Sequence, residues 1–364
     1  MEDLKDIFSP APAEVPADKY EAGSVHWQSP SNIAIIKYWG KRPVQLPQNP
    51  SLSLTLTNAR TETRLSYEPK DSDGMELEFF FDGEPAPRFR ERVLHYLESV
   101  KTYLPFLERF RLTVQTVNSF PHSAGIASSA SAMSALALCL CSMEDKLFGS
   151  LSDDSLFDKK ASFLARLGSG SAARSIFGYA ALWGQASRVP ESSDLFAVSL
   201  EDRLHPVFKN FHDDILIVSA DEKPVSSRAG HQLMDTNPYA PARYARAKQR
   251  LDKLLDALSA GDVARFGQIA EQEALELHGL MMTSEPPYLL MQPETVAIIE
   301  RLRRYRERED IPVFFTLDAG PNVHLLYPEE VIADVRGFLQ EELAPYLLNN
   351  TFIPDFVGEG PEEV

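Results

Sequence analysis

Five short strings of the chain combine cations, hydroxyls and small residues in ways that suit phosphate and carboxylate chemistry. Lys37-Tyr38-Trp39-Gly40-Lys41-Arg42 sets three cations and two aromatic rings in six residues at the end of an apolar run. That is an anion grip, or else a solvated strand end. The string from Pro121 to Ser131 holds Ser123, Gly125, Ala127, Ser128, Ser129 and Ser131. Small side chains let backbone approach a ligand closely. The helix expected to follow aims free N–H groups and a positive dipole end at the same place, which favours phosphate. The serine hydroxyls offer further donors or ligands for Mg²⁺. The string lacks the Gly-Lys-Ser/Thr ending of a Walker A loop, and a close-packed Ala/Ser helix with its cap is the alternative.

Three further strings are weaker alone. Gly168 to Ser175 brings flexible backbone together with Ser169, Ser171 and Arg174. The planar fork of an arginine grips a carboxylate or phosphate through two parallel bonds; an ordinary glycine-rich loop with a surface arginine is the competing reading. Ser226-Ser227-Arg228 opens a predicted loop. Asp318 begins the turn Asp318-Ala319-Gly320-Pro321-Asn322 between two apolar runs, where an aspartate also serves simply to form the turn.

Other chemistries find less support. The eight histidines make no metal-ligand spacing, His278 reads as a hydrogen-bonded packing residue, and no Gly-x-Ser-x-Gly elbow occurs. Cys139 and Cys141 fall in an apolar helix on different faces, which suits buried structural thiols. With 36 basic and 53 acidic residues the net charge is −17, which argues against nucleic acid as a partner. Any anionic substrate must then be held by local cations (Lys37, Lys41, Arg42, Arg174 and Arg228) or a metal. Residues 112–143 carry no Lys, Arg, Asp or Glu. Their serines, glycine and alanines suit a strand, a loop and a buried helix rather than a membrane span. The start of the chain has no apolar stretch of the signal-peptide kind, so a cytoplasmic location is expected.

The elements that must position these strings follow from periodicity. At 364 residues two domains are the prior. Residues 1–23 read as a flexible or loosely docked extension. Strands are predicted over 32–39, 51–57, 62–67, 75–81 and 111–118, then over 179–184 and 196–200. Helices are predicted over 87–103, 129–143 and 152–167. A second half begins near Asp214, with strands over 215–219, 313–317 and 323–327. Its helices are predicted over 244–258, 263–282, 293–309 and 329–347. Strands and helices mix without regular βαβ alternation, so the fold class expected is α+β.

In combination the strings resemble the diphosphomevalonate decarboxylases of the GHMP kinase superfamily. The matching segments are 31–42, 121–131, 168–175, Ser227-Arg228 and Thr316 to Asn322, in the family's order over about 290 residues. The resemblance implies an N-terminal ATP-binding domain like ribosomal protein S5 domain 2 over 24–213, after the extension at 1–23. A ferredoxin-like C-terminal domain would span 214–364, with the site in the cleft between. It implies an ATP- and Mg²⁺-dependent lyase of the mevalonate pathway of isoprenoid synthesis. (R)-5-diphosphomevalonate would be phosphorylated at its C3 hydroxyl and decarboxylated to isopentenyl diphosphate. The partners implied are small molecules, with no nucleic acid or membrane and room for a homodimer.

By the same resemblance Asp318 is the catalytic aspartate, Arg174 holds the substrate carboxylate, and Lys41 joins them in catalysis. Tyr38, Lys41, Ser169, Ser171, Arg174, Ser227 and Arg228 match substrate-contacting positions. Ser123, Gly125, Ala127, Ser128, Ser129 and Ser131 fall in the ATP loop, with Ser128, Ser129 and Ser131 as Mg²⁺ ligands. His122, Pro43 and His231 depart from the family pattern; a methionine is usual at the last. Three alternatives stay open: a decarboxylase of 5-phosphomevalonate, a mevalonate kinase that stops at the phosphate ester, and a non-catalytic binding protein on the same fold.

Overall fold

The computed structural model describes Phe8, 11–120, 128–221 and 224–364. Its first sheet is built on a long antiparallel pair, β1 (Gly23–Ile36) and β2 (Ser51–Pro69). Segments 51–57 and 62–67, expected as separate strands, belong to one strand of 19 residues. The ladder between β1 and β2 slips between Pro30 and Asn32, where Thr57, Asn58 and Ala59 leave amides to be satisfied. The Asp355 carboxylate accepts all three, at 2.8, 2.8 and 2.7 Å. A partner 300 residues away is invisible to local periodicity.

The sheet continues through β4 (Phe110–Asn118) to β3 (Glu76–Phe81), a parallel pair, while β5 (Ala180–Trp183) and β6 (Ala197–Ser199) extend β2 on its other segment. Three helices cover it: α1 (Pro87–Val100), α2 (Ser128–Phe148) and α3 (Asp154–Gly168). The charge-free stretch opens in strand β4 and closes in the buried helix α2. Cys139 and Cys141 are buried free thiols within α2. No described helix is long and apolar enough to cross a membrane.

The extension is not loose where it is described. Phe8 is buried, with its ring 5.2 Å from that of Phe163, and the Ala11 N–H donates to the Tyr103 carbonyl. An aromatic that enters the core outweighs the flexibility suggested by the surrounding prolines and acids.

The second sheet has four strands in the order β8 (Phe314–Thr316), β9 (Val323–Pro328), β7 (Phe211–Leu216), β10 (Phe352–Ile353). Around it lie α4 (Ser227–Leu233), α5 (Ala240–Ala260), α6 (Val263–Met282), α7 (Pro293–Glu309) and α8 (Ile332–Phe338). The single helix expected over 329–347 is broken: α8 passes into a π turn at Leu339–Leu343 and a 3-10 turn at Ala344–Tyr346. Pro345 has no N–H for the carbonyl four residues back, so the α ladder cannot continue through it. Finally β11 (Glu362–Glu363) returns to pair with β1.

Candidate active site

A cleft of about 1710 Å³ runs between elements of both sheets. Strand β1 delivers Lys37 and Tyr38 to it, and the turn from β8 to β9 delivers Asp318. Lys37 is 2% exposed and its Nζ donates to Asp318 Oδ1 at 3.0 Å. Burial depresses the Lys37 pKa, and Asp318 opposes that shift. Two further bonds fix the pair. The Lys37 N–H donates to Glu273 Oε2 at 3.0 Å, and His278 Nε2 donates to the Asp318 carbonyl at 3.0 Å. Glu273 is fully buried and also accepts from Arg243 and Arg250. Thus α5 and α6 hold the end of β1 against the Asp318 turn.

Arg174 is no surface arginine. Gly170–Ile176 forms a buried 3-10 segment rather than a loop, and the guanidinium is 2% exposed. Its Nε, Nη1 and Nη2 donate to Ser53 Oγ, Ser51 Oγ and Asn32 Oδ1 at 3.0, 2.5 and 3.2 Å. These acceptors are neutral. Burial lowers its pKa to about 10, with Asp318 and Tyr38 pulling the other way. Arg174 is therefore a cation at neutral pH, on the cleft wall; among the described residues no carboxylate is bonded to it and three of its five N–H donors are taken. Its setting explains the alternation Ser51-Leu52-Ser53-Leu54: the leucines enter the core and the serines face Arg174.

Tyr38, Lys41, Ser128, Ser129, Ser169, Ser171, Ser227 and Arg228 all line the same cleft. Tyr38 packs edge-on to Trp183 at 4.8 Å, and its hydroxyl is buried with no hydrogen-bond partner among the described residues. Ser129 Oγ lies 3.2 Å from Ser169 Oγ, which joins the start of α2 to the arginine segment. Lys41 does not reach Asp318's partner position. Its Nζ donates to Gln45 at 2.8 Å, and burial together with nearby Arg228 depresses its pKa. Segment 226–228 begins helix α4, with the Ser226 hydroxyl capping the Ala229 N–H, rather than a loop.

Two expected members lie elsewhere. Arg42 turns away and pairs with Asp194 at 2.5 Å. Ser131 is fully buried and bonded to Thr61 Oγ1 at 2.7 Å and to the Ser128 carbonyl, so its hydroxyl ties α2 to β2. Ser123, Gly125 and Ala127, with His122, lie outside the described residues.

Sequence reasoning missed Asn32, Ser51, Ser53 and Glu273. Glu273 left a signal, since it interrupts the apolar stripe of Ala270, Ala274 and Leu277 on α6. An acid on such a stripe must find buried cations.

Two family models match the chain: the diphosphomevalonate decarboxylase-like N-terminal domain over residues 29–196 and the mevalonate 5-diphosphate decarboxylase C-terminal domain over 214–356. The chain belongs to the diphosphomevalonate decarboxylase family. Its fold is that of the GHMP kinases, in the α+β class expected. A diphosphomevalonate decarboxylase of Ganoderma lucidum is 33% identical over 84% of this chain and 79% of that protein. A phosphomevalonate decarboxylase of Haloferax volcanii is 29% identical over 83% of this chain and 87% of that one. The solved structure of MDDEF in complex with MVAPP, AMPPCP and magnesium superposes with a TM-score of 0.79 at 30% identity, covering 94% of this chain and 99% of that one.

Proposed function

We propose that the chain catalyses the ATP-dependent decarboxylation of (R)-5-diphosphomevalonate to isopentenyl diphosphate. The observation that carries the reading is the meeting, in one cleft, of the Lys37–Asp318 pair with a buried arginine whose partners among the described residues are all neutral. The family membership and the substrate and nucleotide complexes of a relative support it.

Arg174 binds the substrate carboxylate, and Asp318 orients the C3 hydroxyl and takes its proton as the γ-phosphoryl group of ATP arrives. The new phosphate then leaves C3 with the C–O electrons. Electrons of the bond between C2 and the carboxylate carbon form the C2=C3 double bond, and CO2 departs. Asp318 faces the positive character that develops at C3. Lys37 holds Asp318 in place. Lys41, Arg228, Ser227 and Tyr38 bind the phosphate end of the substrate, with Ser169 and Ser171 at its side.

No group of three or more His, Cys, Asp or Glu able to hold a metal occurs among the described residues. The donors near the nucleotide end are hydroxyls, which fits Mg²⁺, an ion that takes few protein ligands and relies on phosphate oxygens and water. Ser128 and Ser129 would hold it, and when bound it offsets ATP's charge in a chain of net charge −17.

The proposal divides the chain at 213/214 after an extension over 1–23, supported by the two sheets, with the segment from Asp355 onward returning to the first. It places the enzyme in the cytoplasm, acting on small molecules alone.

The test is release of CO2 and ADP with ATP and Mg²⁺ from mevalonate, its 5-phosphate and its 5-diphosphate. Equal amounts of ADP and CO2, fastest from the 5-diphosphate, are expected. Preference for the monophosphate would move the chain toward the Haloferax relative's activity. ADP without CO2 would make it a kinase, and release of neither a binding protein.

A further inference from the structure

His231 lies on the Ser227–Leu233 helix and has no part in the reaction above. It lies three residues after Arg228, on the same helix face. Its side chain is 8% exposed, and the residue lines the cleft. The ring packs against Tyr38 and Trp39, each with centroids 4.5 Å away. Gly40 donates its N–H to His231 Nδ1 at 2.9 Å. Gly40 can turn there because it has a left-handed φ of +89° and because the Tyr244 ring fills the place of a Cβ.

The bond from Gly40 decides the tautomer. A ring nitrogen that accepts is unprotonated, so a neutral imidazole carries its proton on Nε2. Burial, helped by Lys41, pushes the ring's pKa down to about 3, so it stays neutral under all ordinary conditions. Nε2 has no hydrogen-bond partner among the described residues and is not sealed from the cleft. Here then is an N–H donor beside Lys41 and Arg228 that adds no charge. Those two cations already repel each other: Arg228 is among the causes that depress Lys41. A third cation would deepen that repulsion in the empty site, whereas a neutral donor adds a bond to an anion without it.

We propose that His231 is a neutral hydrogen-bond donor, through Nε2–H, to the phosphate end of the substrate, and that with Lys41 and Arg228 it sets the preference for a diphosphate over a monophosphate. The inference rests on the function proposed above.

Three variants test it: His231→Asn keeps an acceptor for the Gly40 N–H and loses the Nε2 donor; His231→Gln carries an amide donor out to the Nε2 position; His231→Met fills the volume with no donor. KM for the 5-diphosphate, kcat, KM for ATP, and binding of inorganic diphosphate by calorimetry are measured on each, with thermal melts to confirm folding. A bond to a charged acceptor predicts a loss of about 10- to 100-fold in diphosphate affinity for Asn and Met. KM should rise more than kcat falls, KM for ATP should hold, and Gln should recover part of the loss. The ratio of specificity for diphosphate over monophosphate should narrow in Asn and Met. Folded Asn and Met variants that bind inorganic diphosphate like the parent would overturn the proposal. Should the parent release no CO2 from any of the three mevalonates, the proposed function fails, and the diphosphate titration alone decides the role of His231.

Discussion

Replacing Lys37 by methionine separates catalysis from stability at the centre of the site. The ammonium lies 3.0 Å from Asp318 Oδ1. At an effective dielectric of about 20 two unit charges at that separation attract by roughly 5–6 kcal/mol. Asp318's carboxylate is 25% exposed toward the cleft, so water returns part of this, and only what is felt more strongly in the transition state appears in the rate. A loss of about 3–4 kcal/mol corresponds to a fall in kcat of roughly 10²–10³. Stability should move differently. Burial is the largest influence on the Lys37 pKa and outweighs the Asp318 attraction, so removing the ammonium relieves a desolvation cost, and Tm should stay level or rise. Single-turnover CO2 release with a thermal melt on Lys37→Met reads both. The depressed pKa adds a sign. Lys37 loses its proton as pH rises through a value below 10.5, so activity should decline on the alkaline side earlier than an ordinary lysine would allow, and Lys37→Arg should extend that range. A Lys37→Met enzyme that keeps kcat within threefold while its Tm falls would make the pair structural and refute the argument.

Other perturbations follow from the same contacts. Arg174→Ala should lower the rate by about 10²-fold or more through misplacement of the reacting centre, and Arg174→Lys should recover little because it lacks the fork that meets Ser51, Ser53 and Asn32; substrate calorimetry and CO2 release check both. Ser129→Ala should raise KM for ATP, whereas Ser131→Ala should leave it unchanged and cost about 0.5–1.5 kcal/mol of stability by removing one buried bond to Thr61 Oγ1, which keeps Asn118 Oδ1 as its partner, as denaturant titration would read. Glu273→Gln should destabilise by about 3–5 kcal/mol, since Arg243 and Arg250 would lose their buried carboxylate. Because folded His231 titrates near 3 while the unfolded ring takes a proton near 6.5, stability should fall as pH drops from about 6.5 toward 3. His231→Met should flatten that part of the denaturation profile.

What the sequence alone determined was set by local pattern. Strand alternation at 51–57, the charge-free helix over 129–143 and the turn at 318–322 were legible, because side-chain period and turn chemistry act over a few residues. The strings that suit phosphate and carboxylate were legible for the same reason: small residues, hydroxyls and arginine carry their chemistry wherever they sit. Tertiary structure decided the rest. It chose Lys37 over Lys41 as the partner of Asp318, because the end of β1 is pinned by Glu273 from α6. It turned Arg42 out to Asp194 and Ser131 inward to Thr61, choices made by which face each backbone presents. It buried Arg174 among three neutral oxygens from two different strands. Contacts between residues 70 or more positions apart leave no period in the sequence, and the charge and hydrogen bonding of a site are fixed only when such contacts close.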